Sequence, residues 1–437
     1  MASSSTDPVP VEDTTVSVDL PDLRIFVFIL FFIFGGITSL NDVIIPKLKS
    51  LFTLSYAEAM LVQSAFFGAY LLVSLPAAAL VKRIGYMRTA ATGLLAMTLG
   101  CLLFVPASLS GLFAAFLLAL FVLASGITIV QVVANPLISM LGPARTAHSR
   151  LTFAQAFNSL GTTIFPFVGS VLILGPLARV DGAGLTGAAL SAFRAAETQV
   201  VMRTYLGLAA ILALVAAAVW MRRKRLVETP APHAGVLAGF GLLKRPRFVF
   251  GALGIFLYVG AEVAIGSIIV NFLMQTDVLG LSQQAAGKHV PLYWGGAMVG
   301  RFLGAYLLRI ASPGKVLAGV ASAAILLLAT AATAGGPVSG WALLAIGLCN
   351  AIMFPTIFSL ASEGLGARAA DGSGIICVAI VGGALVPLLT GRVADLAGLH
   401  AALLVPAICY ATILAFGVYA RRPAVGAGLA PQRAPGH

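Results

Sequence analysis

Apolar residues fall along the chain in long runs separated by short polar stretches. A helix needs about 20 apolar residues to cross a bilayer. The runs predict helices at about 24–47, 57–82, 88–108, 111–141, 150–175 and 202–221. A second set is predicted at about 247–275, 287–309, 315–334, 338–362, 372–396 and 400–421. The longest charged segment separates the two sets. It contains RRKR and the prolines Pro230, Pro232 and Pro246. The pattern therefore predicts an all-α membrane protein of twelve transmembrane helices in two six-helix bundles, 24–221 and 247–422. A linker at 222–246 joins them, and polar ends at 1–23 and 423–437 are expected to be disordered.

Composition agrees with a bilayer setting. Of 437 residues, 59% are hydrophobic and 10% are charged, with a mean hydropathy of +1.01. Soluble domains carry about 25% charged residues. Residues 1–23 lack the apolar core of a cleavable signal, so the first run is expected to stay as an anchor.

The net charge is +12, which could point to nucleic acid. The basic residues sit in short loops instead, where they report topology. Nineteen fall on one side of the predicted helices and seven on the other, and Arg301 alone lies within a helix. That asymmetry predicts both termini in the cytoplasm. Cys101, Cys349, Cys377 and Cys409 all fall in apolar runs without a CxxC pair, so neither a disulfide framework nor a metal site is expected.

Two acids interrupt the apolar runs. Asp42 lies in IFVFILFFIFGGITSLNDVIIP and Glu262 in FLYVGAEVAIGSIIVN. A carboxylate facing lipid costs several kcal/mol, so each must face a bundle interior or a wet cavity. Their corresponding places in the two sets predict an ion-coupled site, with a structural tie as the bland alternative.

Amides occupy mid-span positions as well: Asn41, Gln131, Asn135, Gln155, Asn158, Asn271 and Asn350. They offer the donors and acceptors that sugar hydroxyls require, although polar side chains also join membrane helices. Trp294, Tyr258 and Tyr293 could stack on a sugar ring. Pro46, Pro136, Pro355 and Pro387 each leave a backbone carbonyl without its helical donor. No HExxH, GxSxG or P-loop spacing is present. The expectation is a chain that is not an enzyme and needs no cofactor.

The six-plus-six division resembles the major facilitator superfamily, whose halves are parallel repeats around a midplane site. AALVKRIGYMR after the second helix resembles the superfamily's loop motif, with Lys82 where the pattern has its acid. GRVADLAG after the eleventh helix is a better match, with Asp395 at the acid position. Longer stretches carry a narrower likeness. FFIFGGITSLND, VQSAFFGAYLLVSLPA, VQVVANPLISMLGP, RLTFAQAFNSLG, FLYVGAEVAIGS and FPTIFSLASEGLG resemble the fucose–galactose–glucose:proton symporter family, nearer its glucose/galactose branch.

The resemblance implies hexose:proton symport by alternating access in a bacterial inner membrane. It implies that Asp42 is the acid of the first helix and that Asn41, Gln155 and Asn158 are cavity amides. Fucose-type members carry an acid where this chain has Gln131 and an amide where it has Glu262, so fucose is disfavoured. The expected assignment is proton coupling at Asp42 and Glu262. Sugar contacts are expected from Asn41, Gln131, Asn135, Gln155, Asn158, Asn271, Trp294 and Asn350. A monomer in the lipid bilayer, with a small-molecule sugar as partner and no nucleic acid, completes the expectation. Sodium coupling, an N-acetylated sugar, and a non-transporting receptor or scaffold remain alternatives.

Overall fold

The computed structural model describes residues 21–52, 56–169, 187–224 and 236–422. The ends 1–20 and 423–437 and residues 225–235 of the expected linker lie outside the described residues. So do the side chains of Asn41, Asp42 and Pro46, whose backbone is helical.

The described residues are helical, with no strand among them. The first group is α1 (Pro21–Phe52), α2 (Tyr56–Ile84), α3 (Tyr86–Ser110), α4 (Phe113–Met140), α5 (Ala147–Gly169) and α6 (Gly187–Met221). The second group begins with α7 (Pro246–Met274), the short α8 (Gln283–Gly287), α9 (Val290–Ile310) and α10 (Pro313–Thr333). It continues with α11 (Pro337–Asn350), α12 (Met353–Ser362), α13 (Ala369–Ala379), α14 (Gly382–Ala397), α15 (Leu399–Ala402) and α16 (Leu404–Tyr419).

Among the described residues, ten stretches are long and apolar enough to cross a membrane, counting α11–α12, α13–α14 and α15–α16 as one each. Helices α5 and α9, of 23 and 21 residues, carry many of the site's polar side chains and fall outside that set. Large apolar side chains such as Leu109, Leu214, Leu303 and Leu388 stay exposed, as a lipid-facing surface requires.

Three runs expected to be continuous are interrupted. The 338–362 run breaks between Asn350 and Met353, 372–396 between Ala379 and Gly382, and 400–421 after Ala402. In the expected linker, Val236–Lys244 forms a 3-10 helix.

Small residues let helices approach closely. A Cβ built on Gly126 would lie 2.4 Å from Met97 N, and one on Gly100 would lie 2.5 Å from Leu123 N. The crossing of α3 on α4 therefore depends on these glycines. Gly85 and Gly398 follow the two loop-motif helices and share one backbone shape, φ 85°, ψ 168° and φ 87°, ψ 166°. A side chain there would be strained, so the two motifs place the same turn after two different helices.

Helices α1–α6 pack among themselves, as do α7–α16, and two seams join the groups. Along the first, α5 runs beside α9. Ser149 Oγ donates to Ala305 O at 2.6 Å, Arg309 Nε donates to Ser149 Oγ at 3.2 Å, and Thr163 lies 3.8 Å from Met298 Sδ. Along the second, α2 meets α13 and α14. Lys82 Nζ lies 2.6 Å from Asp371 Oδ1, both nearly inaccessible. A Cβ on Gly374 would press on Ala78, and one on Gly383 on the Phe67 ring. Lys82 stands where the superfamily pattern has its acid, and it draws its partner from the other group. His148 Nε2, 3.2 Å from Glu363 Oε1, adds a third tie at the same basic end.

Candidate translocation site

Proline chemistry builds the site. A proline lacks the N–H that would reach the carbonyl four residues earlier. Pro136 in α4 releases Val132 O in this way, and Ser373 Oγ of α13 donates to it at 2.8 Å. Pro355 in the first turn of α12 releases Ala351 O, and Arg301 Nε of α9 donates to it at 3.3 Å. Both carbonyls gain a side-chain donor from another helix, which irregular backbone at membrane depth requires.

Around Pro136 the polar side chains are neutral. Tyr70 Oη of α2 donates to Gln131 Oε1 at 2.7 Å. Gln155 Nε2 of α5 lies 3.4 Å from Asn135 Oδ1. Gln131, Asn135 and Gln155 are all buried. Asn135 Nδ2 has no hydrogen-bond partner among the described residues. A buried donor left open costs about 1–3 kcal/mol, so it is a place where a hydroxyl would be favoured.

Around Pro355 the cluster is ionisable. Tyr258 Oη lies 2.8 Å from Glu262 Oε1 and 3.1 Å from Asn350 O. One phenolic proton serves one of these acceptors at a time. Asn350 is fully buried and ties three helices together. Its Nδ2 donates to Tyr293 Oη of α9 at 2.7 Å, and Tyr410 Oη of α16 donates to its Oδ1 at 2.6 Å. Tyr293 Oη in turn lies 3.3 Å from Glu262 O.

Arg301 links the two clusters. Besides Ala351 O, its guanidinium donates to Gln155 O at 3.2 Å and to Ser159 Oγ, both on α5. Its charge acts on Glu262 without a direct ion pair.

The structure thus brings together Gln131, Asn135 and Gln155 on one side and Glu262 and Asn350 on the other. Asn158 turns to α1, donating to Phe31 O at 3.3 Å. Trp294 is 44% exposed in the second turn of α9, edge-on to Tyr293 and against Gly266. Asn271 is exposed in the last turn of α7, about 14 Å along the axis from Glu262. The Asn41 and Asp42 side chains lie outside the described residues.

Sequence reasoning gave no role to Tyr70, Ser159, Arg301, Ser373 or Tyr410. Arg301 carried the clearest signal, because an arginine inside an apolar run is as costly as an acid.

Long apolar helices in two packed groups, with an acid, an arginine and amides in their interior, are the features of a polytopic membrane transporter. The chain belongs to the Major Facilitator Superfamily, whose family model matches residues 27–380. Within it, the chain falls with transporters and symporters, not enzymes. It is 49% identical to the glucose/galactose transporter of Brucella abortus over 390 residues, 89% of this chain and 92% of that one. It is 34% identical to the L-fucose-proton symporter of Escherichia coli, covering 89% of this chain and 90% of that one. The crystal structure of the transporter FucP in the outward conformation matches with a TM-score of 0.84 at 32% identity, covering 91% of this chain and 98% of that one.

Proposed function

We propose that the chain is a hexose:proton symporter of the glucose/galactose type, working by alternating access. The 49% identity to a glucose/galactose transporter across nearly the whole chain carries this reading. Twelve spans, counting α5 and α9, would place both termini in the cytoplasm of a bacterial inner membrane. Bundles 24–221 and 247–422 would then rock about the two seams. Lys82–Asp371 and His148–Glu363 would close the cytoplasmic end.

The sugar would lie between the amide cluster and the acid cluster. Gln131, Asn135 and Gln155 would take its hydroxyls from one bundle and Asn350 from the other, with Asn41, Asn158, Asn271 and Trp294 as outer contacts. Asp42 and Glu262 would carry the coupling protons, and no organic cofactor or metal would take part. Binding would use amides from both bundles at once, so occupancy would favour the arrangement that brings the bundles together.

The test is uptake of labelled glucose and galactose into proteoliposomes under an imposed proton or sodium gradient. Accumulation driven by the proton gradient alone is expected. Accumulation that follows sodium, or no transport of either hexose, would overturn the proposal.

A further inference from the structure

The break between α11 and α12 leaves two neighbouring carbonyls outside regular helix, Asn350 O and Ala351 O. Tyr258 from α7 holds the first and Arg301 from α9 holds the second. Both donors also answer to Glu262. Tyr258 Oη lies 2.8 Å from its carboxylate, nearer than the 3.1 Å to Asn350 O, and the Arg301 charge acts on it. The titratable and charged groups that Glu262 faces are Tyr258 on its own helix, Tyr293 and Arg301 on α9, and Tyr410 on α16.

Two hydrogen-bonding states follow. With Glu262 ionised, the phenol of Tyr258 donates to Oε1, and Asn350 O loses that donor. Arg301 is drawn toward the carboxylate and away from Ala351 O. With Glu262 protonated, its own O–H donates to Tyr258 Oη. The phenolic proton is then free for Asn350 O, and Arg301 loses the attraction that competed with Ala351 O. One proton added at Glu262 accounts for the whole change, and no other bond forms or breaks.

We propose that the α11–α12 break is a hinge read by the proton on Glu262, with Tyr258 and Arg301 as the positioning residues that transmit it. Protonation closes both carbonyls and stiffens the hinge, and ionisation frees them. Arg301 carries the same signal across to α5, where it holds Gln155 O and Ser159. The seam between α5 and α9 and the break in the second group thus respond to one proton. The inference rests on Glu262 being a proton carrier, which is part of the proposed function.

The experiment is amide hydrogen exchange of the full-length, sugar-free protein in lipid nanodiscs. Peptides spanning residues 347–357 and 150–163 are compared between variants at the same pH, so that intrinsic exchange chemistry cancels. Wild type is expected to match Glu262→Gln at mildly acidic pH and to exchange at least about 5-fold faster at mildly alkaline pH, the low end of ordinary coupling between sites. Tyr258→Phe should lose most of that pH response in residues 347–357. Arg301→Lys keeps the charge with a shorter reach and should lose it in residues 150–163. A wild-type protein indistinguishable from Glu262→Gln at every pH overturns the proposal. So does a full wild-type response in both Tyr258→Phe and Arg301→Lys. If Tyr258→Phe fails to fold, Arg301→Lys decides alone. Glucose and galactose uptake by the same preparation judges the sugar reading separately.

Discussion

Helix α4 and the broken pair α11–α12 use the same proline device with different chemistry. In each, a proline releases the carbonyl four residues back, and another helix supplies the donor. At Val132 O the donor is the hydroxyl of Ser373. At Ala351 O it is the guanidinium of Arg301. The neighbours follow suit. Tyr70, Gln131, Asn135 and Gln155 surround the first with neutral groups, whereas Glu262 and three tyrosines surround the second. Unpaired backbone at membrane depth needs a donor, but the donor's charge is open to choice. The lesson is that the amide cluster can stay a fixed neutral surface while the cluster around Glu262 responds to protons.

Asp42→Asn is the strongest attempt to break this comparison, because Asp42 on α1 is an acid of the first group. Accumulation of hexose against a gradient should be abolished while the protein still folds and binds sugar. Full concentrative uptake by the variant would leave Glu262 as the only coupling acid.

The next largest effect is at the closed end. Asp371→Asn strands the buried Lys82 charge, which typically costs about 3–5 kcal/mol. The loss should appear as a lower melting temperature and faster labelling of a cysteine placed at Ala78. Replacing both partners with apolar residues of similar volume should recover most of it. If the single variant is as stable as wild type, the ion pair does not hold the seam.

Asn350→Ala acts within the charged cluster alone. It takes the acceptor from the buried Tyr410 hydroxyl, an expected loss of about 1–3 kcal/mol, while Tyr293 keeps its bond to Glu262 O. Thermal unfolding in detergent reads this directly. Unchanged stability would mean that Tyr410 finds another partner.

Tyr70→Phe is the smallest change and sharpens the comparison most. It removes one neutral hydrogen bond, about 0.5–1.5 kcal/mol, and should weaken galactose binding equally at every pH. A variant whose pH profile shifts would show that the first cluster also responds to protons.

The fold is readable in the sequence because a bilayer demands long apolar runs, and the runs set helix positions to within a few residues at most ends. The prolines also point to open carbonyls. The donors do not follow from sequence, since Ser373 lies 241 residues from Val132 and Arg301 lies 50 from Ala351. The helix break at 351–352 is hidden because the residues there, Asn-Ala-Ile-Met, have no glycine or proline of their own. Asn158 shows the limit at the site. Its three-residue spacing from Gln155 places both on one side of α5, yet Gln155 turns to α4 and Asn158 to α1. Spacing gives the face of a helix, and packing decides which neighbour each side chain meets.

If the two clusters divide the work in this way, the acid cluster of the second group titrates together with sugar binding. Proton uptake by the purified protein on adding galactose at mildly alkaline pH, followed with a pH indicator dye, tests this most directly. Wild type and Tyr70→Phe should take up equal numbers of protons per sugar bound, and Glu262→Gln should take up fewer at saturating sugar. Equal uptake by Glu262→Gln and wild type would contradict it.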